Sequence, residues 1–240
     1  MKTQFNHFLT LVALAFLLSL NCYGATFMID PGHGGQDLGA KCGYAREKDV
    51  VLAVALKVKA SLESQGHRVV LTRTGDYFVP LATRVAMNNK LKPDAFVSIH
   101  CNDTDGSKSA HGIEVYYLTP QSQALASNIH GSLVKGLKAN DRGVRQRQLF
   151  VVHHTPHPSI LAEIGFLSNA KERVKLCSAD YQKRVAMAIT TGLSNYKRAA
   201  VASAKLSAVK KTVIKTASIK TASARVSRAL KQSKNKLSVR

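Results

Sequence analysis

The stretch ATFMIDPGHGG, residues 25–35, sets an apolar run, Ala25 to Ile29, directly before a glycine-rich bend that carries one imidazole, His33. The run reads as a buried strand. Pro31 fixes one backbone angle, and Gly32, Gly34 and Gly35 remove side-chain bulk around His33, so the chain can turn sharply and leave the ring facing a metal or a substrate. Working outward, the pattern recurs: AFVSIHCND (95–103) ends an apolar run with His100, and SILAEIGFLSN (159–169) places Glu163 inside one. HRVVLT (67–72), IEVYYL (113–118) and LFVV (149–152) are further expected strands. Between these runs, residues 49–64, 81–90, 121–139 and 179–196 carry apolar side chains at helical spacing. Strands alternating with helices, some of them apolar on both faces, predict an α/β fold: a single-domain sandwich with a mostly parallel central sheet flanked by helices.

In open sheets of this kind, functional groups collect beyond the carboxyl ends of the strands. His33, His100 and Glu163 are placed there, and Glu47, in AREKD (45–49), joins them from the loop or first turn entering the first helix. Two imidazoles and one carboxylate form a ligand set that holds Zn²⁺ while leaving a position for water, and a second carboxylate can take that water's proton. His33, Glu47 and His100 are therefore the candidate metal ligands, and Glu163 the candidate acid/base. Each has a plainer reading: a turn residue for His33, a first-turn carboxylate favoured by the helix dipole for Glu47, a hydrogen-bonded core histidine for His100, and a salt bridge to Arg84 for Glu163. A carboxylate buried without compensation in an apolar strand is costly. If zinc-bound water supplies that compensation, burial also moves Glu163 towards the range useful for proton transfer. His153, His154 and His157 read as exposed loop histidines, with substrate contact or a second metal as the alternative.

The first 24 residues read as a secretory signal peptide: Lys2 precedes an apolar run, Phe8 to Leu20, with cleavage expected near Gly24/Ala25. A signal anchor or a lipid-modified Cys22 are the alternatives, the second disfavoured by Ser19. Cys42, Cys101 and Cys177 then remain, with no CxxC spacing; three thiols are expected, with a Cys42–Cys101 bridge as the alternative. The net charge of +21 comes from 35 Lys and Arg against 14 Asp and Glu, and thirteen of those cations, with no acid, lie in residues 197–240. That segment repeats KTAS at Lys215 and Lys220 and has no aromatic residue. It reads as a disordered basic C-terminal tail that seeks polyanions or is merely solvated. The domain itself spans residues 25–196.

The order DPGHGG, Glu47, LATRVAMNN, VSIHCND, HGIEVYYL, DRGV and PSILAEIGFLSN resembles the zinc-dependent N-acetylmuramoyl-L-alanine amidases, the amidase-3 family of bacterial cell-wall hydrolases, over about residues 26–195. The resemblance implies that His33, Glu47 and His100 bind Zn²⁺, that Glu163 is catalytic, and that the substrate is peptidoglycan, cleaved between N-acetylmuramic acid and the L-alanine of the stem peptide. The signal peptide places the protein in the periplasm or outside the cell and argues against a physiological role with nucleic acid; with no separate wall-binding module visible, the basic tail is the candidate for retention on anionic envelope polymers, a solvated tail without a specific partner being the alternative. Members that need activators resemble this domain with a long insertion blocking the zinc; here only Thr119 to Asn140 lies between HGIEVYYL and DRGV, so an open site is expected. The rival readings are a non-catalytic envelope or polyanion-binding protein on the same scaffold, and a zinc hydrolase acting on a different bond.

Overall fold

The computed structural model describes residues 24–104 and 108–237, with side chains described through Ala208. The signal-peptide expectation falls outside these residues. The described chain divides into two compact units after Tyr196.

The first unit is built on a six-stranded sheet in the order β4-β1-β5-β8-β6-β7. Its strands are β1 (Thr26–Pro31), β4 (Arg68–Leu71), β5 (Ala95–Asn102), β6 (Ile113–Tyr117), β7 (Asp141–Gln146) and β8 (Ser159–Phe166). Neighbours are parallel except β6 and β8, which run antiparallel. A two-stranded hairpin, β2 (Lys41–Cys42) and β3 (Ala45–Arg46), stands apart from the sheet.

Alternation along each strand sorts side chains to two faces. Phe27, Ile29, Val97, Ile99, Ile160, Ala162, Ile113 and Val115 pack into the larger core, with Val51, Val54 and Val58 of α1 (Glu47–Glu63), Leu125, Ile129 and Leu133 of α3 (Pro120–Leu137), Leu176 of α5 (Ala170–Leu176), and Val185, Ile189 and Leu193 of α6 (Ala179–Leu237). The opposite parity, Met28, Phe96, Tyr116 and Leu161, packs a smaller cluster with Val151 and Val152 of α4 (Phe150–His153) and Met87 and Leu91 of α2 (Leu81–Leu91). The second layer is short. Continuing the parity of Met28, Phe96 and Leu161 towards the strand ends gives Asp30, Ser98, His100 and Glu163.

Two sequence expectations are corrected. LFVV is not a strand: Phe150 to His153 form the turn of helix α4, laying Val151 and Val152 on the sheet while Phe150 stays exposed. An apolar run of four cannot be told from one buried helical turn by periodicity. The segment read as disordered is helical in its backbone through Leu237. Residues 197–237 contain neither glycine nor proline and are rich in alanine and lysine, so helix propensity is high even though packing residues are sparse. Among the described residues no helix is long and apolar enough to cross a membrane. Cys42, Cys101 and Cys177 are all free.

Candidate metal centre and active site

The bend after β1 is held from beneath by two buried arginines. Arg84 of α2 donates to Asp30 at 2.6 Å, to the Pro31 carbonyl at 2.8 Å and to the His33 carbonyl at 2.7 Å. Arg73 donates to the carbonyls of Pro31, Gly32 and Lys48. Asp30 also accepts from Thr72 and Ser98, so its buried charge is fully partnered. Arg84 is thus the partner of Asp30 and not of Glu163, which removes the salt-bridge reading of Glu163.

Held this way, His33 adopts a left-handed backbone at φ 60°, unusual for a residue with a side chain. Two glycines leave the necessary room. A Cβ on Gly32 would lie 2.2 Å from the His100 ring, and one on Gly39 would lie 2.5 Å from a Glu47 oxygen and 2.6 Å from the His33 ring.

Glu47 is the first residue of α1, delivered by the β2–β3 hairpin. Its Oε1 lies 2.9 Å from His100 Nδ1 and 3.1 Å from His33 Nε2, and it accepts the Cys101 amide at 2.9 Å; Oε2 accepts the Ala40 amide. Ligand atoms of His33, Glu47 and His100 all lie within 4.8 Å of one another, so the three side chains could hold one metal ion. The far ring nitrogen of His33, Nδ1, is 2.9 Å from both oxygens of Asp37, a contact that orients the imidazole in the way a carboxylate behind a metal-bound histidine does.

The electrostatics agree with a cation site. Burial works against ionisation of Glu47, but hydrogen bonds and charge from His100 and then His33 hold it far below the usual carboxylate range. Burial likewise opposes the charged forms of the two histidines, yet Glu47 raises both above the ordinary imidazole value, with Asp37 adding to His33. Two imidazoles drawn to protons around a stubbornly ionised carboxylate are positions where a divalent ion replaces protons.

Glu163 is brought beside this cluster by sheet register, opposite His100 across β5 and β8. It is half-buried, and among the described residues its enclosed Oε2 has no hydrogen-bond partner. Burial, with Glu47 and Glu114 adding repulsion, pushes its pKa up to about 7 against the pull of His100. A carboxyl group poised near neutrality beside a candidate metal site is suited to proton transfer. All four candidate residues converge. His153 and His154 do not join them; both are exposed at the end of α4, their rings 4.5 Å apart.

Sequence reading missed Asp37 and Glu114. Glu114 of β6 lies opposite Glu163 across the antiparallel seam and is buried, accepting from Asn102 and paired with Arg145 at 3.1 Å and Arg142 at 3.6 Å. Its signal was available, since IEVYYL is an apolar strand broken by a carboxylate just as SILAEI is. Asp37 had none beyond standing four residues after His33.

A cleft of about 390 Å³ opens beside the centre, lined by Gly32, His33, Asp37 and His100 and walled by Phe78, Val79, Leu81, Phe150 and Leu161. Residues 27–195 match the family model described as N-acetylmuramoyl-L-alanine amidase. The chain is 41% identical over 177 residues to the uncharacterized protein YqiI of Bacillus subtilis, covering 72% of this chain and 85% of that protein. It is 39% identical over 179 residues to the N-acetylmuramoyl-L-alanine amidase LytC of the same organism, covering 73% of this chain but only 36% of LytC. Among solved structures, N-acetylmuramoyl-L-alanine amidase AmiC2 of Nostoc punctiforme superposes with a TM-score of 0.70 at 38% identity, over 72% of this chain and 97% of AmiC2. With this sheet, this convergent site and these likenesses, the chain belongs to the N-acetylmuramoyl-L-alanine amidase family of peptidoglycan hydrolases.

Proposed function

We propose that the protein is a zinc-dependent amidase that hydrolyses the bond between the lactyl group of N-acetylmuramic acid and the L-alanine of the stem peptide. The observation that carries this reading is the meeting of His33, Glu47 and His100 within 4.8 Å, with Glu163 in register beside His100. Zinc held by those three residues would polarise the amide carbonyl and acidify a water. Asp37 fixes the His33 ring, and the Arg73 and Arg84 network holds the bend that presents it. Glu163 accepts the proton of the attacking water and returns it to the departing amine, for which its pKa of about 7 is suited. A purely binding role is not favoured, because a protein relieved of catalysis has no reason to keep an uncompensated buried carboxylate next to a ligand cluster.

The interval Thr119 to Asn140 is occupied by α3, which lies against the sheet with Leu125, Ile129 and Leu133 in the core. This supports activity without a protein activator. We place the protein outside the cytoplasm, from the apolar run Phe8 to Leu20, and assign the basic segment 197–240 to retention on anionic envelope polymers by counterion release. Loss of wall binding at high salt, and with the segment removed, tests that assignment.

The deciding experiment is mass spectrometry of products from purified muropeptides treated with zinc-loaded protein and with Glu163→Gln. Intact stem peptides beginning at L-alanine, absent with the variant, are expected. Cleavage at another bond would discard the substrate assignment, and cleavage only after a protein activator is added would discard the open site.

A further inference from the structure

We propose that Arg142, Arg145 and Arg147 form a subsite that reads a free carboxylate on the second or third residue of the stem peptide; this rests on the amidase reading above. On the face that carries the site, the strands follow one another in the order His100 (β5), Glu163 (β8), Glu114 (β6), and then β7, where Arg145 pairs with Tyr116. A register shift between Ile113 and Val115 lets Arg142 also reach Glu114. Arg147, just past β7, lies over the Tyr116 ring at 5.3 Å. Two guanidiniums therefore flank one buried carboxylate, and a third lies over the neighbouring Tyr116 ring. Glu114 pairs with Nε of Arg145 at 3.1 Å and more loosely with that of Arg142 at 3.6 Å; the Arg142 guanidinium also lies over the Phe166 ring and Arg145 donates to the Arg142 carbonyl, but the two side chains are 31% and 57% exposed, so part of the cationic surface stays turned to solvent. The acid on β7, Asp141, is turned towards His130 of α3, 3.1 Å away, and not towards these arginines.

Distance selects the substrate position. β7 lies two strand spacings, about 10 Å, from the strand of Glu163. An extended peptide advances about 3.3 Å per residue. A peptide leaving the scissile bond towards β7 thus brings its second or third side chain to the arginines, which bind carboxylates as charge-assisted, often bidentate pairs. The opposite flank cannot serve an anion in this way. Its cleft is walled by Phe78, Val79, Leu81 and Phe150, and the one arginine there, Arg84, is buried and already committed to Asp30 and backbone carbonyls.

The test uses synthetic N-acetylmuramoyl stem peptides differing only in whether the acid of residue two, or of residue three, is a free carboxylate or a carboxamide. Binding to Glu163→Gln protein is measured first, so that the subsite is read without turnover; kcat/KM of the wild type follows. Amidating the recognised carboxylate is expected to weaken binding and lower kcat/KM roughly tenfold, and the residue at which this occurs identifies the carboxylate read. Arg147→Gln, which leaves both contacts to Glu114 in place, should lower binding of the acid but not of the amide, and Arg145→Lys should retain part of the preference. Equal binding of acid and amide, or an equal loss on both in Arg147→Gln, would overturn the proposal. Carboxylate-dependent binding without hydrolysis would sink the amidase reading alone.

Discussion

Two carboxylates face each other across the β8–β6 seam, and the halves of the sheet on either side handle them in opposite ways. Glu114, on the β6–β7 side, has Asn102, Arg142 and Arg145 as partners. Glu163, on the β5–β8 side, has an enclosed oxygen with no partner among the described residues and a pKa pushed up to about 7. Both interrupt apolar strands, and the more deeply buried of the two, Glu114, is not the one whose pKa is pushed up, so burial alone does not separate them. Compensation does. Guanidiniums and an amide commit Glu114 to structure; Glu163, with an enclosed oxygen left without a hydrogen bond and its pKa pushed up to about 7, is suited to take and give a proton.

The sharpest way to break this contrast is to neutralise each carboxylate in turn. Glu163→Gln should lower kcat on muropeptides by about 10³, in the range expected for loss of a positioned acid/base, while metal content measured by atomic emission stays at wild-type level. Glu114→Gln should stay within about tenfold of wild type. Comparable losses in the two variants would mean that the partnered carboxylate is as chemical as the unpartnered one.

The next effect is on stability and needs no substrate. In metal-free protein the pKa of Glu163 rises from 4.5 to about 7 on folding. A raised folded value means that folding retains a proton the unfolded chain would lose. Stability from this group is therefore fully present below about 4.5 and declines as pH rises towards about 7. At about 1.4 kcal/mol per pKa unit, the decline approaches roughly 3 kcal/mol. His33 and His100, also raised on folding, lose stability in the same direction through and above their ordinary 6.5. Glu47 raises both in either protein and Glu163 adds to the rise at His100, so the difference between urea titrations of wild type and Glu163→Gln from pH 4 to 8 reports the glutamate together with its coupling to His100. Parallel curves would remove the case that Glu163 is uncompensated.

The contrast also shows what the sequence could carry. ATFMI, AFVSI and SILAEI announce central strands because they are apolar on both faces, and the candidate positions His33, His100 and Glu163 are legible because each sits where such a strand ends or breaks; Glu47, at the start of a helix, is legible only beside them. LFVV misleads because four apolar residues serve equally as a strand or as one turn against a sheet. β7 escaped because DRGVRQ is an exposed, charged edge with nothing apolar to alternate beyond Val144. The compensation of Glu114 was illegible for the same reason: its arginines come from that edge, about 30 residues on, and only register brings them together. The helical backbone of residues 197–237 escaped because low aromatic content argues against a packed core but says nothing against a helix.

The smallest effect tests the structural side of the pair. Removing the charge of Glu114 leaves two guanidiniums close together with no anion between them, though a glutamine oxygen still accepts from Asn102. Breaking a fully buried pair is strongly destabilising, but both arginines reach solvent, which screens the repulsion and leaves an expected loss of about 1–2 kcal/mol in Glu114→Gln by urea denaturation at neutral pH. Removing one cation as well should recover part of this loss, because the repulsion then disappears, so Glu114→Gln with Arg145→Gln should be less destabilised than the sum of the single variants. Glu163→Gln at the same pH should be neutral or stabilising, because burial outweighs the pull of His100 on that carboxylate and leaves its enclosed oxygen without a hydrogen bond among the described residues. If instead Glu114→Gln proves neutral and Glu163→Gln costly, the arginines are not what pays for Glu114, and Glu163 has a partner that the geometry of β8 does not reveal.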